Sequence, residues 1–235
     1  MTQLAPESEL NRNRLGKITI MLADDHPLLR QALRSVLEKE ADFQIIAEAN
    51  DGEEAVRLAT ELVPNVVIMD IRMPKINGLE ATRQIKAKCP SIAILVLTVH
   101  DDSEHILGIL EAGAAGYLTK SVFGEEVIHA VRGVAAGEMV LSASVSQQII
   151  KHALQHVTKP LPLDAGEKIT PRELEILRMA ASGLSNKDIA QKLDLSERTV
   201  KGYLAEIFSK LNVSSRTEAV ITALRAGFFT LDDLT

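Results

Sequence analysis

From residue 18 to about residue 137 the chain alternates short apolar runs with amphipathic stretches, and few folds accommodate that order. The apolar runs are ITIML (18–22), FQIIAEA (43–49), NVVIMD (65–70), SIAILVLT (91–98) and GYL (116–118). Consecutive Val, Ile and Leu mark strands covered on both faces. Between them stand helical patterns. PLLRQALRSVLEK (27–39) places Leu29, Leu33, Val36 and Leu37 on one side. DGEEAVRLATEL (51–62) has acids in its first turn, where the macrodipole favours them. Pro90, Gly113 and Gly137 close the three that follow. The alternation predicts an α/β doubly wound five-stranded parallel sheet over residues 17–137, with right-handed crossovers.

After residue 137 the pattern changes. Residues 138–167 read as a linker that is partly helical. SASVSQQIIKHALQHV (142–157) suits a dimer element or a solvated spacer equally, and KPLPLDAGEK (159–168) is an open connection. Residues 168–235 show no strand pattern. Thr170, Pro171 and Glu173 open a first helix with a capping box, and Gly183 ends it. SNKDIAQKLDL, then SERTVKGYLAEIFSKLN capped by Ser196, then SSRTEAVITALRAG follow, the last repeating the capping-box spacing at Ser215 and Glu218. These predict a small all-α, four-helix domain. The polar residues 1–16 read as a loose tail.

Charge alone identifies no partner. The net charge of −6 is uneven: residues 168–235 hold ten Lys and Arg against nine Asp and Glu, so the acidity lies in the rest. A single Cys89 excludes a disulfide framework and a cysteine metal site. No run has the apolar length of a bilayer span, and no signal peptide is recognisable at the start. A cytoplasmic location is expected.

Chemistry concentrates at the strand ends. Functional groups in an open parallel sheet gather at the carboxyl ends of the strands, near the switch point of the strand order. Asp24 and Asp25 follow the first strand, and Asp70 ends the third. With the order 2-1-3-4-5 these three carboxylates share one crevice, where they raise each other's pKa unless a cation intervenes. A hard divalent ion such as Mg2+ takes oxygen ligands of this kind. One aspartate at a strand end is often only a helix cap. Thr98 after the fourth strand and Lys120 after the fifth, with Tyr117 three residues earlier, complete a set that capping does not explain.

These residues resemble the receiver domain of bacterial two-component response regulators. The resemblance rests on ADDH (23–26), MDIRMPKINGLEA (69–81), LTVHDD (97–102) and AGAAGYLTK (112–120). It implies that a sensor histidine kinase phosphorylates Asp70. It implies that Asp25, Asp70 and the Arg72 backbone carbonyl ligate Mg2+, with Asp24 acting through water. Thr98 and Tyr117 become a switch pair, Tyr117 turning inward as Thr98 moves, and Lys120 becomes the phosphate partner. Ser121 stands where many receivers have a cis proline, so a trans bond is expected.

The third C-terminal helix divides cleanly. Val200, Leu204, Ile207, Phe208 and Leu211 share one face, while Arg198, Gly202, Ala205 and Ser209 share the other, with Lys201 at the flank. Small residues with basic flanks suit a DNA groove or a helix–helix contact equally. TPRE, GLSNKDIA, LSERTVK and SSRTEAV resemble the LuxR-type helix-turn-helix of the NarL/FixJ branch. The resemblance implies DNA contact at Arg198, Thr199, Lys201, Gly202, Ala205 and Lys210. Tyr203 replaces a usual histidine, and direct base readout is expected to be sparse, leaving more to DNA shape. Ala219, Val220, Ala223 and Leu224 in the last helix are candidates for dimerisation, for the local core, or for both.

The sequence therefore predicts a DNA-binding regulator, not an enzyme in the usual sense, that works as a homodimer on promoter sites when Asp70 is phosphorylated. The alternative is the same regulator under phosphorylation-independent control by a partner or redox state. A phosphotransferase and a protein-interaction adaptor are more distant rivals.

Overall fold

The computed structural model describes residues 16–98, 103–122, 124–141, 145, 169–229 and 233. Nearly all of the expected tail, most of the linker and VHDD of the LTVHDD motif lie outside them.

The N-terminal domain contains β1 (Ile18–Ala23), α1 (Pro27–Leu37), β2 (Phe43–Ala49), α2 (Gly52–Leu62), β3 (Val66–Met69), α3 (Gly78–Lys88), β4 (Ala93–Thr98), α4 (Ser103–Glu111), β5 (Gly116–Thr119) and α5 (Glu125–Ala135). A further strand, β6 (Val140–Leu141), follows. The sheet order is β2-β1-β3-β4-β5-β6, and every pairing is parallel. The five expected strands hold their expected order. The sixth lies where the linker was expected to begin: after Gly137 turns at φ +84°, Val140 and Leu141 pair with Gly116 and Tyr117.

Successive strand residues serve opposite faces. Ile20, Leu22, Val66, Ile68, Leu95 and Leu97 pack with Leu33 and Leu37 of α1 and Val127 and Val131 of α5. Met21, Val67, Met69, Ile94 and Val96 pack with Ala55 of α2, Ile85 of α3 and Ile109 of α4. Each large side chain so buried contributes roughly 1.5–3 kcal/mol, which fixes the strand register and hence the rim that follows it.

The C-terminal domain contains α6 (Pro171–Ala181), α7 (Asn186–Leu193), α8 (Glu197–Leu211) and α9 (Arg216–Arg225). Thr170 and Glu173 form the expected capping box, and Ser185 with Asp188 forms another. At α9 the pattern differs. Ser215 caps Glu218 N, but the Glu218 carboxylate accepts from Ser214 N and Oγ. The helices close on Ile176, Leu177, Ile189, Val200, Leu204 and Ile207.

The two domains touch through α4 and α9. Ile221 of α9 joins the core cluster that contains Ile109 and Tyr117. Arg225 Nη2 pairs with Glu111 at 2.5 Å. Asn186 Nδ2 donates to the Ala136 carbonyl at 3.2 Å. Buried charges also cross the contact. Burial pushes the Lys86 ammonium of the N-terminal domain down to about 8, opposed by Glu218 of the other domain. Burial pushes the Arg216 guanidinium down to about 10, opposed by Glu138.

Candidate functional site

The acidic pocket lies where β1, β3 and β5 end. Asp24 N donates to the Ala49 carbonyl, and Asp70 N donates to the Ala23 carbonyl at 2.8 Å, so the ladder holds both aspartates side by side. Gly78 closes the loop after Asp70. Its N–H donates to Ile71 O, and a Cβ there would lie 2.1 Å from the Asp70 carbonyl oxygen. Only glycine fits this approach.

Lys120 Nζ sits 2.6 Å from Asp24 Oδ2 and 3.0 Å from Asp70 Oδ2. Asp70 Oδ1 accepts from Ile71 N at 2.9 Å. Asp24 and Asp70 are each 4% exposed. Burial raises the Asp70 carboxyl above its ordinary range and nearby Asp24 adds to this, although Lys120 and the Ile71 N–H pull the other way. Lys120, expected as the partner of a phosphoryl group on Asp70, contacts both carboxylates and lies nearer to Asp24.

The pocket fits a divalent cation on its own chemistry. Ligand-capable atoms of Asp24, Asp25, His26 and Asp70 all lie within 4.8 Å of one another. Asp25 Oδ1 is buried and has no hydrogen-bond partner among the described residues. A buried lone pair of that kind is costly unless something positive meets it. Asp24, Asp25 and Asp70 would hold the ion, with the Arg72 carbonyl in the adjoining loop.

Thr98 and Tyr117 lie on neighbouring strands. Thr98 is fully buried, and its Oγ1 has no hydrogen-bond partner among the described residues. Tyr117 is also fully buried, in the cluster that includes Ile106, Ile109, Leu110 and Ile221. The ring is therefore already inside, whereas the sequence reading had it turning inward on phosphorylation. The β5 register points Tyr117 at the α3–α4 face, and α4 and α9 contribute to the apolar cluster around it.

Sequence reasoning missed two members of this site. His26 Nδ1 lies 3.1 Å from Asp24 Oδ1 and 2.8 Å from Asp25 Oδ1. Arg30 donates through Nη1 to the Asp24 carbonyl and through Nε to Glu48 at 3.1 Å, tying α1 to the end of β2. The letters DDH carried the first signal, and the helical step from His26 to Arg30 carried the second.

On α8, Arg198, Thr199, Lys201, Gly202 and Ala205 are all exposed, on the side away from Val200, Leu204 and Ile207. Lys210 departs from the expectation. Its Nζ bonds both Glu173 carboxylate oxygens, at 2.8 and 2.9 Å, because the last turn of α8 crosses the start of α6. Lys201 and Ala205 also line a cleft of about 400 Å3 whose other wall includes Pro90, Ser91 and Ala93 of the N-terminal domain. Of the dimerisation candidates, Ala219, Val220 and Ala223 are buried in the C-terminal core, and Leu224 packs against it. In this arrangement they serve the local core.

Comparison with known proteins agrees with this geometry. Residues 20–132 match the response regulator receiver domain family, and residues 167–223 match the bacterial regulatory proteins of the luxR family. The chain is 36% identical over 237 residues to the transcriptional regulatory protein DegU of Brevibacillus brevis, covering 94% of this chain and 97% of the relative. It is 36% identical to the nitrate/nitrite response regulator protein NarL of Escherichia coli K12, covering 86% of this chain and 93% of the relative. A solved LuxR-family two-component response regulator from Aurantimonas sp. SI85-9A1 aligns with a TM-score of 0.56 and 38% identity, over 59% of this chain and 99% of that one. Among the described residues no helix is long and apolar enough to cross a membrane.

Proposed function

Because the chain belongs to the LuxR-family two-component response regulators, DNA-binding proteins with a receiver domain, we propose that phosphorylation of Asp70 by a sensor histidine kinase controls its access to DNA. The observation that carries this reading is the Asp70 carboxyl itself, buried at the pocket floor with Lys120 Nζ 3.0 Å away. The carboxylate attacks the phosphoryl group of the kinase histidine. A phosphorus–oxygen bond forms as the phosphorus–nitrogen bond breaks, and the histidine keeps the electron pair. A divalent cation, when bound, supplies charge neutralisation on the transferring oxygens. The Lys120 ammonium, beside Asp70, also neutralises charge on those oxygens, and the Thr98 hydroxyl is a donor for one of them.

The transfer leaves a phosphoryl group close to minus two at one buried point. Movement of Thr98 and Lys120 toward it disturbs the strands they end, β4 and β5. The cluster containing Tyr117 and Ile221 then changes, and with it the seat of α9. The arrangement described above, with Lys201 and Ala205 facing the receiver, is the form that phosphorylation disfavours. The released domain binds promoter DNA through α8 as a homodimer.

Acetyl phosphate and Mg2+ are expected to label the wild type and not Asp70→Asn. The labelled wild type is expected to retard promoter fragments at lower concentration and to sediment as a dimer. Equal DNA binding by the two proteins under these conditions would instead support phosphorylation-independent control by a partner or redox state.

A further inference from the structure

We infer that His26 is a nitrogen ligand of the acidic pocket, and that it tilts the site from an all-oxygen magnesium seat toward borderline divalent cations such as Mn2+ and Co2+. The inference rests on the reading of the pocket as a cation site.

His26 follows Asp25 directly and stands one residue before α1, with extended backbone at φ −94°, ψ 104°. Its side chain caps no helix N–H. Nδ1 instead reaches back over the pocket, to 3.1 Å from Asp24 Oδ1 and 2.8 Å from Asp25 Oδ1. The second contact is near in distance but is no hydrogen bond, since Asp25 Oδ1 has no such partner among the described residues. A nitrogen and an oxygen 2.8 Å apart stand at the spacing of neighbouring donors on one ion. The four ligand-capable atoms span at most 4.8 Å. Donors on a single ion lie about 4–4.5 Å apart at most, so a small rotation of exposed side chains closes the set. The His26 side chain is 69% exposed and free to make that rotation.

The donor chemistry then decides the metal. Mg2+ is hard and takes oxygen, whereas imidazole nitrogen gains affinity along the series from Mn2+ to Co2+. To ligate, Nδ1 gives up its contact with Asp24, and the ring carries its proton on Nε2. Removing the imidazole therefore weakens the borderline ions and leaves the carboxylates to hold Mg2+ almost as before.

The test uses the full chain, wild type and His26→Phe, with Mn2+, Co2+ and Mg2+ each titrated by calorimetry, and pulsed EPR on the Mn2+-loaded proteins. Melting curves check that the exposed substitution leaves the fold intact. We expect His26→Phe to weaken Mn2+ and Co2+ about tenfold while Mg2+ changes less than about threefold. We expect 14N modulation on Mn2+ in the wild type that the variant lacks. Equal Mn2+ affinities with no 14N modulation would overturn the ligand role while leaving the cation pocket standing. Failure of all three ions to bind the wild type would overturn the ligand role together with the cation reading beneath it.

Discussion

Thr217 Oγ1, in the last helix of the DNA-binding domain, donates to the Ala115 carbonyl at 3.1 Å, two residues before Tyr117. This hydrogen bond joins the C-terminal domain to the residue just before the strand that carries Tyr117. Thr217→Val keeps the side-chain shape and removes the bond, costing the closed arrangement about 1 kcal/mol. The unphosphorylated variant is expected to bind promoter DNA roughly fivefold more tightly than the unphosphorylated wild type, read by fluorescence anisotropy. Unchanged affinity would mean that this contact does not limit DNA access.

Lys210 is predicted to act on stability rather than on DNA. Its partner Glu173 is buried, so Lys210→Met leaves a carboxylate without its cation and destabilises the domain by about 3 kcal/mol. Burial alone would raise the Glu173 carboxyl, but hydrogen bonds from Lys210 and Thr170 outweigh it and hold the group below its ordinary range. A depressed acid stabilises the fold above its unfolded pKa, near 4.3, and that stabilisation is lost as pH falls through the lower folded value. Melting curves from pH 7 down to pH 3 should therefore show a steeper acid loss for the wild type than for Lys210→Met.

Val63 ends α2 in the left-handed region, at φ 45°, ψ 61°. A β-branched residue there carries strain of roughly 1–2 kcal/mol. It is half exposed, so little packing is lost on replacement. Val63→Asn is expected to stabilise the receiver by about 0.5–1 kcal/mol, seen as a higher denaturant midpoint with an unchanged slope. A lower midpoint would show that the side chain packs more than its exposure suggests.

Lys201 stands on the exposed side of α8 beside Gly202, where a Cβ would meet open space. If it neutralises one phosphate, Lys201→Ala lowers the slope of log affinity against log salt by about one. The loss should be similar across promoter sequences, because a phosphate contact carries no base information. A sequence-dependent loss would place Lys201 on a base edge.

Much of this was readable from residue order. The apolar runs specified five strands because four of them are buried on both faces and the edge strand β2 is still half-buried, and the aspartates ending two of them marked the pocket. Two-residue β6 left no such trace: Val140 and Leu141 have no periodicity, and their pairing depends on a turn that returns the chain to an existing edge. His26 escaped notice because a histidine beside two aspartates means little until its ring is seen over them. Lys210 misled because the helical wheel of α8 places it on a flank, and nothing in that wheel reports that α6 passes beneath. The cross-domain partners Glu138 and Glu218 lie far in sequence from the cations they face, so only tertiary packing reveals them.

The small sixth strand also shortens the leash between the two domains. With Val140 and Leu141 zipped to β5, residues 138–141 belong to the receiver and no longer count toward the span between the domains. Four residues fewer remove about 13–14 Å of maximum span. A shorter leash holds the DNA reader at a higher local concentration over its docking surface. Fraying that strand would lengthen the leash, letting the reader range farther without any change at the docking surface itself.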